Sequence, residues 1–226
     1  SPDSKWILSD FIGIGGWNNK DVVLLKADGK GEMVNLTESG YSDTNAKWVL
    51  GGKAMIWNSD RSGYRSHGSW GSESDTYIMF FDVDAYNRFT MSKEDLALLE
   101  EAEKTEKEEK AKKEKEEKEK AEKKKDKKDA KTKDTKKEED KKKEEVKPLT
   151  FDLENRFDRI VRLTVNSSRL SDAVLTPKGD VLYYLAAFEG DYDLWEHKLK
   201  ENTTKILLKG VGGGALIPDK EGKNIF

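Results

Sequence analysis

Apolar residues along this chain fall in short runs, each introduced by a turn rich in Pro, Gly, Asp or Ser. Ser1-Pro2-Asp3-Ser4-Lys5 leads into Trp6-Ile7-Leu8, a bend followed by large strand-forming side chains. The same pattern returns at Thr176-Pro177-Lys178-Gly179-Asp180, before Val181-Leu182-Tyr183-Tyr184. It returns again from Ile217-Pro218-Asp219 to Ile225-Phe226, and in degenerate form where Val49-Leu50-Gly51-Gly52-Lys53 precedes Ala54-Met55-Ile56-Trp57. Pro177 and Pro218 lie 41 positions apart, and Pro2 and Leu50 lie 48 apart. Four-stranded propeller blades repeat at about 40–50 residues.

The rest of each unit repeats too. Asp21-Val22-Val23-Leu24-Leu25 predicts a second strand, Asp28-Gly29-Lys30-Gly31 a turn, and Met33-Val34-Asn35-Leu36 a third strand. Asp193-Leu194-Trp195, Lys200-Glu201-Asn202 and Ile206-Leu207-Leu208 align on these without a gap, and Asp75 to Asp82 supplies the strand of the degenerate unit. The near-continuous apolar run Val181 to Phe188 fits a strand covered on both faces. An ordinary β-sandwich is the alternative, but it needs no such self-similarity. The expected fold is all-β: a partial β-propeller of about three to four four-stranded blades, interrupted by a long charged helical or disordered insertion.

That insertion gives the expected organisation: propeller blades over 1–90, a Lys/Glu-rich segment over 91–147, and further blades over 148–226. Between Met91 and Lys147 there is no Gly, Pro or aromatic residue; all six Trp, seven Tyr and eight Phe lie outside it. Ser92 with Asp95 reads as a capping box, followed by a small apolar patch at Leu96, Leu98 and Leu99. Glu then precedes Lys by four positions repeatedly, as in Glu100–Lys104 and Glu106–Lys110, the favourable order for helix-surface ion pairs. A solvated helix from Ser92 to near Lys125 is expected, fraying to disorder beyond Asp126. Apolar heptads stop after Leu99, which argues against a coiled coil. Pro148 closes the stretch, and Leu149-Thr150-Phe151-Asp152-Leu153 restarts strand-like sequence.

Composition narrows the function classes. The 38% of charged residues sum to a net charge of only -3, with Lys and Glu alternating at short range, so no nucleic-acid footprint is expected. Without Cys there are neither disulfides nor thiolate metal sites. No run approaches the length of a membrane span. Both ends read as cut from something longer, so further blades on either side are expected.

Catalytic, cofactor and metal sites are all expected to be absent. His67 and His197 are the only histidines; His197 follows Trp195 on the same strand face and reads as structural. The runs Gly13-Ile14-Gly15-Gly16 and Gly210-Val211-Gly212-Gly213-Gly214 lack the Lys-Ser/Thr ending of a phosphate loop and read as turns between blades. Asp191/Asp193 and Glu73/Asp75 read as turn or strand-edge residues. One loop, Arg61 to Ser72, is long, aromatic and polar; Tyr64, Arg65, His67 and Trp70 are its candidate ligand-facing residues.

The Ser-Pro-Asp and Pro-Lys-Gly-Asp turns resemble the propeller repeats of TolB and of prolyl-oligopeptidase-like and tricorn-like peptidases. The longer run Pro148 to Asp152, Arg159-Ile160-Val161-Arg162-Leu163-Thr164, Asp172 to Leu175 and Asp180 to Trp195, with the insertion before it, looks like the propeller part of bacterial tricorn-like serine peptidases. This resemblance implies a non-catalytic propeller that gates or channels peptide or unfolded protein substrate. The serine peptidase domain would lie elsewhere in the parent chain, beyond a PDZ module. It also implies a periplasmic or cell-envelope setting. The other reading is a TolB-like protein-binding propeller without enzymatic role.

Overall fold

The computed structural model describes residues 1–13, 19–66, 71–125, 148–219 and 224–226. The chain divides into two compact units, Ser1–Thr90 with Val146–Phe226, and Met91–Glu145.

The first unit holds three antiparallel sheets, each made of strands consecutive along the chain. The first comprises β1 (Trp6–Ile12), β2 (Lys20–Lys26) and β3 (Val34–Asn35). The second comprises β4 (Asp43–Val49), β5 (Ala54–Ser59), β6 (Asp75–Phe80) and β7 (Ile160–Arg162). The third comprises β8 (Arg169–Leu175), β9 (Val181–Ala187), β10 (Asp193–Lys198) and β11 (Thr203–Leu208). Beyond them Pro218 and Ile225 form a β-bridge, opening a further hairpin. These are the blades of a partial β-propeller. The first blade carries three strands, and the short helix α1 (Val83–Thr90) follows β6.

The period of two in the sequence becomes the stacking of the blades. Met55 and Trp57 of β5 pack with Val22, Leu24 and Leu36 of the first blade, whereas Ala54 and Ile56 pack with Leu182, Tyr184 and Ala186 of the third. β9 repeats the arrangement, turning Leu185 with Val174 toward Leu216 of the next hairpin. A middle strand is therefore apolar on both faces over most of its length, and β5 is buried throughout, its last two residues Asn58 and Ser59 included. Truncating the fully buried Trp57 to Ala costs about 3–5 kcal/mol.

A side-chain latch recurs where the next-to-last strand of each sheet begins. Asp21 accepts from Thr37 Oγ1 at 3.1 Å, and that hydroxyl accepts from Val22 N–H at 3.0 Å. Asp75 accepts from Thr164 Oγ1 at 2.7 Å, and that hydroxyl accepts from Thr76 N–H at 3.2 Å. In the third blade Lys209 stands where Thr would be, and Asp193 accepts from Gly210 N–H at 2.8 Å instead. Each latch fastens the residues just after a sheet's last strand to the start of the strand before it.

Two local readings are corrected. Leu149–Leu153 pairs with no strand; Leu149 packs on Gly52, while Phe151 and Leu153 pack on the core between the first two blades. Alternation survives there because one side faces the core, while Asp152 N–H donates to Phe81 O at 2.9 Å, just beyond β6. The Gly13 run joins β1 to β2, which pair through seven residues, so it lies within a blade rather than between blades. The Gly210 run does link the third blade to the next hairpin, with Gly210 and Gly212 at positive φ.

In the second unit, α2 (Lys93–Lys125) begins where Ser92 Oγ accepts from Asp95 N–H at 3.1 Å. Glu106 and Lys110 form an ion pair of the expected four-residue spacing at 2.5 Å. The fraying expected beyond Asp126 falls outside the described residues. Among the described residues no helix is long and apolar enough to cross a membrane.

Candidate functional site

Asp43 and Ser59 face each other at the last register position of β4 and β5. Tyr41 and Arg61, each two residues further out, are thus brought to one level at the end of the second blade. Arg61 is fixed from below. Its Nη2 donates to both oxygens of the fully buried Asp43 at 3.2 and 3.3 Å, and its Nε donates to Ser59 Oγ at 3.0 Å. Trp57 Nε1 and Ser39 Oγ also donate to Asp43, at 3.0 and 2.6 Å.

With its charge balanced, the Arg61 guanidinium lies 5.0, 5.4 and 5.9 Å from the rings of Tyr77, Trp57 and Tyr41. Arg65 repeats the device: Nε pairs with the buried Asp60 at 3.1 Å, and the guanidinium lies 5.4 Å from the Tyr41 ring. Tyr41 therefore contacts two guanidinium groups, each already paired with a carboxylate.

The loop bearing Tyr64 and Arg65 continues the β5–β6 hairpin. Glu73 N–H donates to Tyr64 O at 2.8 Å, Ser66 N–H to Gly71 O at 3.1 Å, and Arg65 and Ser72 form a β-bridge. Gly63 permits the two limbs to approach; a Cβ there would sit 2.1 Å from Glu73 O. Tyr64 is 69% exposed, at the outer side of this hairpin. His67 and Trp70 lie outside the described residues.

Sequence reasoning named Tyr64 and Arg65 and quoted Arg61 as the loop's first residue, but it missed Tyr41. The available signal was that Tyr41 precedes β4 by as many positions as Arg61 follows β5.

Ser62 Oγ shares a 2.6 Å hydrogen bond with Tyr77 OH, and burial pushes the Tyr77 phenol above its ordinary value, so it stays protonated. The other histidine, His197, is buried in β10, with Nδ1 2.7 Å from Thr204 Oγ1. Burial lowers its pKa, against a smaller opposing effect of the Thr203 backbone. It serves the sheet. Among the described residues no group of three or more His, Asp or Glu is arranged to hold a metal ion.

At the opposite end of the blades lies a cavity of about 230 Å³, lined by Trp48, Leu50, Leu175, Pro177, Tyr183 and Ile225 among others. These residues come from the ends of β4 and β8, the turns after them, β9 and the Pro218–Ile225 bridge.

No protein-family model matches the chain, and no curated protein sequence matches it. Among solved structures it is similar to TolB from Acinetobacter baumannii, with a TM-score of 0.50 and 8% identity. It is also similar to the tricorn protease, with a TM-score of 0.57 and 9% identity. Both are propeller proteins. The match covers 100% of this chain and 36% of TolB, and 99% of this chain and 19% of the tricorn protease. At such identities the likeness is one of fold.

Proposed function

We propose that this chain is the non-catalytic propeller part of a tricorn-like serine peptidase, and that it binds unfolded peptide and passes it to a catalytic domain elsewhere in the parent. The observation that carries this reading is the surface of Tyr41, Arg61, Tyr64 and Arg65. Its guanidinium groups are neutralised by Asp43 and Asp60, so it favours aromatic faces and neutral backbone amides over free ions. A periplasmic or cell-envelope setting goes with this reading, as does a parent containing a PDZ module.

The test has two arms. Fluorogenic peptides are offered to the parent protein and to this chain alone; hydrolysis is expected from the parent only, and hydrolysis by this chain overturns the assignment. A fluorophore-labelled, permanently unfolded polypeptide is then titrated against this chain and against the Tyr64→Ala/Arg65→Ala double variant. Loss of two such aromatic and Arg contacts weakens binding about tenfold or more; unchanged affinity rejects the surface.

The second reading is a TolB-like propeller that binds a folded protein partner. It is favoured by the larger share of TolB that the chain spans, 36% against 19%. An inactive parent whose isolated propeller retains one stoichiometric partner would select it.

A further inference from the structure

β6 and β7 are neighbours in one sheet, yet the chain between them runs from Phe81 to Arg159. The outgoing and returning ends of that excursion are fastened to different neighbouring blades. The outgoing end is α1, started by Asp82, which accepts from Ala85 N–H at 2.7 Å. Tyr86 and Phe89 pack on Phe80, with ring centroids 5.6 and 5.0 Å away. Lys200, from the β10–β11 turn of the third blade, donates its ammonium to the Phe89 carbonyl at 2.5 Å and lies 5.6 Å over the Phe89 ring. A cation at a helix C-terminus is favourably placed, because the last carbonyls have no partner within the helix.

The returning end, Pro148 to Arg159, takes hold of the first blade. Leu149 N–H donates to Asp3 at 3.0 Å. Phe151 meets Trp6 edge-on at 5.0 Å, and also touches Trp48 and Phe81 of the second blade at 5.8 and 5.2 Å. Arg156 donates to Leu36 O at 2.9 Å, to Asn35 O at 3.0 Å and to Glu38 at 2.7 Å. Such a multiply donating guanidinium fixes geometry that a Lys at the same place would not.

We propose that these two roots act as a clasp, holding the first and third blades against the second, so that the segments flanking the insertion are structural fasteners rather than plain ends of one loop. The strand lengths support this. The returning root crosses the blades with the shortest outer strands, β3 with two residues and β7 with three, whereas β11 has six. Ladder bonds that the short strands do not make are replaced by Arg156 on the β3 carbonyls and by Arg159, which donates to Phe80 O at 3.1 Å. The clasp needs only the roots, not the charged segment between Met91 and Lys147. It also stands apart from the peptide reading, since none of its residues belongs to the Tyr41–Arg65 surface.

Brief trypsin treatment of this chain, which carries many Lys in that charged segment, tests the first half of the idea. The two flanking fragments are expected to co-elute under native conditions, with hydrogen exchange in β1, β2 and β9 unchanged within about twofold. Fragments that separate, or exchange that rises tenfold on cutting alone, overturn it.

Single substitutions test the second half. Arg156→Met is expected to speed exchange at least tenfold in β1–β3 and to leave β8–β11 unchanged; Lys200→Met is expected to do so in α1 and the β10–β11 turn and to leave β1–β3 unchanged. Exchange that does not move, or that rises equally in all blades, rejects the clasp. If Arg156→Met does not fold, Arg156→Lys keeps the charge without the fork, and the same blade-selective increase is required of it.

Discussion

The second and third blades follow one plan and differ most in one connection. Both innermost strands carry an irregularity in the same region, between Thr44 and Lys47 in β4 and between Leu170 and Asp172 in β8. Both pair four strands in chain order. In the third blade the last two strands are joined by the short turn after Lys198, where Leu199 N–H donates to Asp180 O at 2.9 Å. In the second they are joined by everything from Phe81 to Arg159. A turn specifies register locally, and a long excursion cannot. The loop-closure cost itself grows slowly with length, so the excursion is tolerated once the strand is held in another way.

What holds β7 is the network around Asp75, which is fully buried. It accepts from Arg162 Nη2 at 2.7 Å and from Ser167 Oγ at 2.8 Å, as well as from Thr164. The third blade, with its turn intact, has only the Gly210 bond at this place. Asp75→Ala should therefore destabilise the protein by about 3 kcal/mol, since it leaves a paired Arg and two hydroxyls without their acceptor. Asp193→Ala should cost about 1 kcal/mol. Urea midpoints of the two variants decide it, and equal losses would mean that the network does not substitute for the turn.

A second contrast lies along the innermost strands. Lys47 of β4 donates to both oxygens of Asp172 at 2.6 Å, and to Ala173 O at 3.0 Å. Asp172 also accepts from Leu216 N–H at 2.7 Å, so one buried carboxylate ties three successive blade positions together. The seam between the first two blades is closed by aromatic packing of Trp6, Trp48, Phe81 and Phe151 instead. Lys47→Met should cost about 2 kcal/mol, because Asp172 then keeps its charge with one donor fewer. The polar seam should also lose stability as salt is raised, and the aromatic seam should not. Exchange rates of β8 and β1 amides in low and high salt measure this directly.

These contrasts also explain what was legible beforehand. The turns at Pro2, Leu50 and Pro177 lead into β1, β5 and β9, and Pro218 enters the bridge to Ile225, because turn chemistry is local. Gly52, two residues after Leu50, has positive φ as Ser4 and Gly179 have two residues after their Pro, so the degenerate copy keeps that part of the turn, although Leu50 and Gly51 also have positive φ. The repeated Asp at the start of each next-to-last strand was visible, but Asp75 and Asp193 were read as turn or strand-edge residues, since the Thr partner of Asp75 lies far along the chain. β3 was read longer than its two residues: Leu36 is buried and its N–H donates to Val22 O at 2.8 Å, but the Val22 N–H goes to Thr37 Oγ1 instead of returning to the ladder. At the candidate site Tyr64 and Arg65 were nameable from their loop. Tyr41 became nameable only once the β4–β5 register put it opposite Arg61.

The smallest expected effect separates the same two blades by pH. His197 occupies the fifth position of its strand, counted from Asp193, where the second blade has Met79 and the first has Leu25. It is 4% exposed, and burial holds its pKa below the ordinary 6.5. On acidification the unfolded chain takes up the proton first, so the folded state keeps its full stability above about pH 6.5 and loses some as pH falls toward the lower folded value. His197→Met, which gives the third blade the residue of the second, should remove that part of the acid sensitivity. Thermal midpoints at pH 7.5 and 5.0 read it out: the unsubstituted protein should fall further than the variant between the two. An equal fall in both would mean that the ring takes its proton in the folded state as readily as in the unfolded chain, and that the third blade tolerates a charge at a position its neighbours keep apolar.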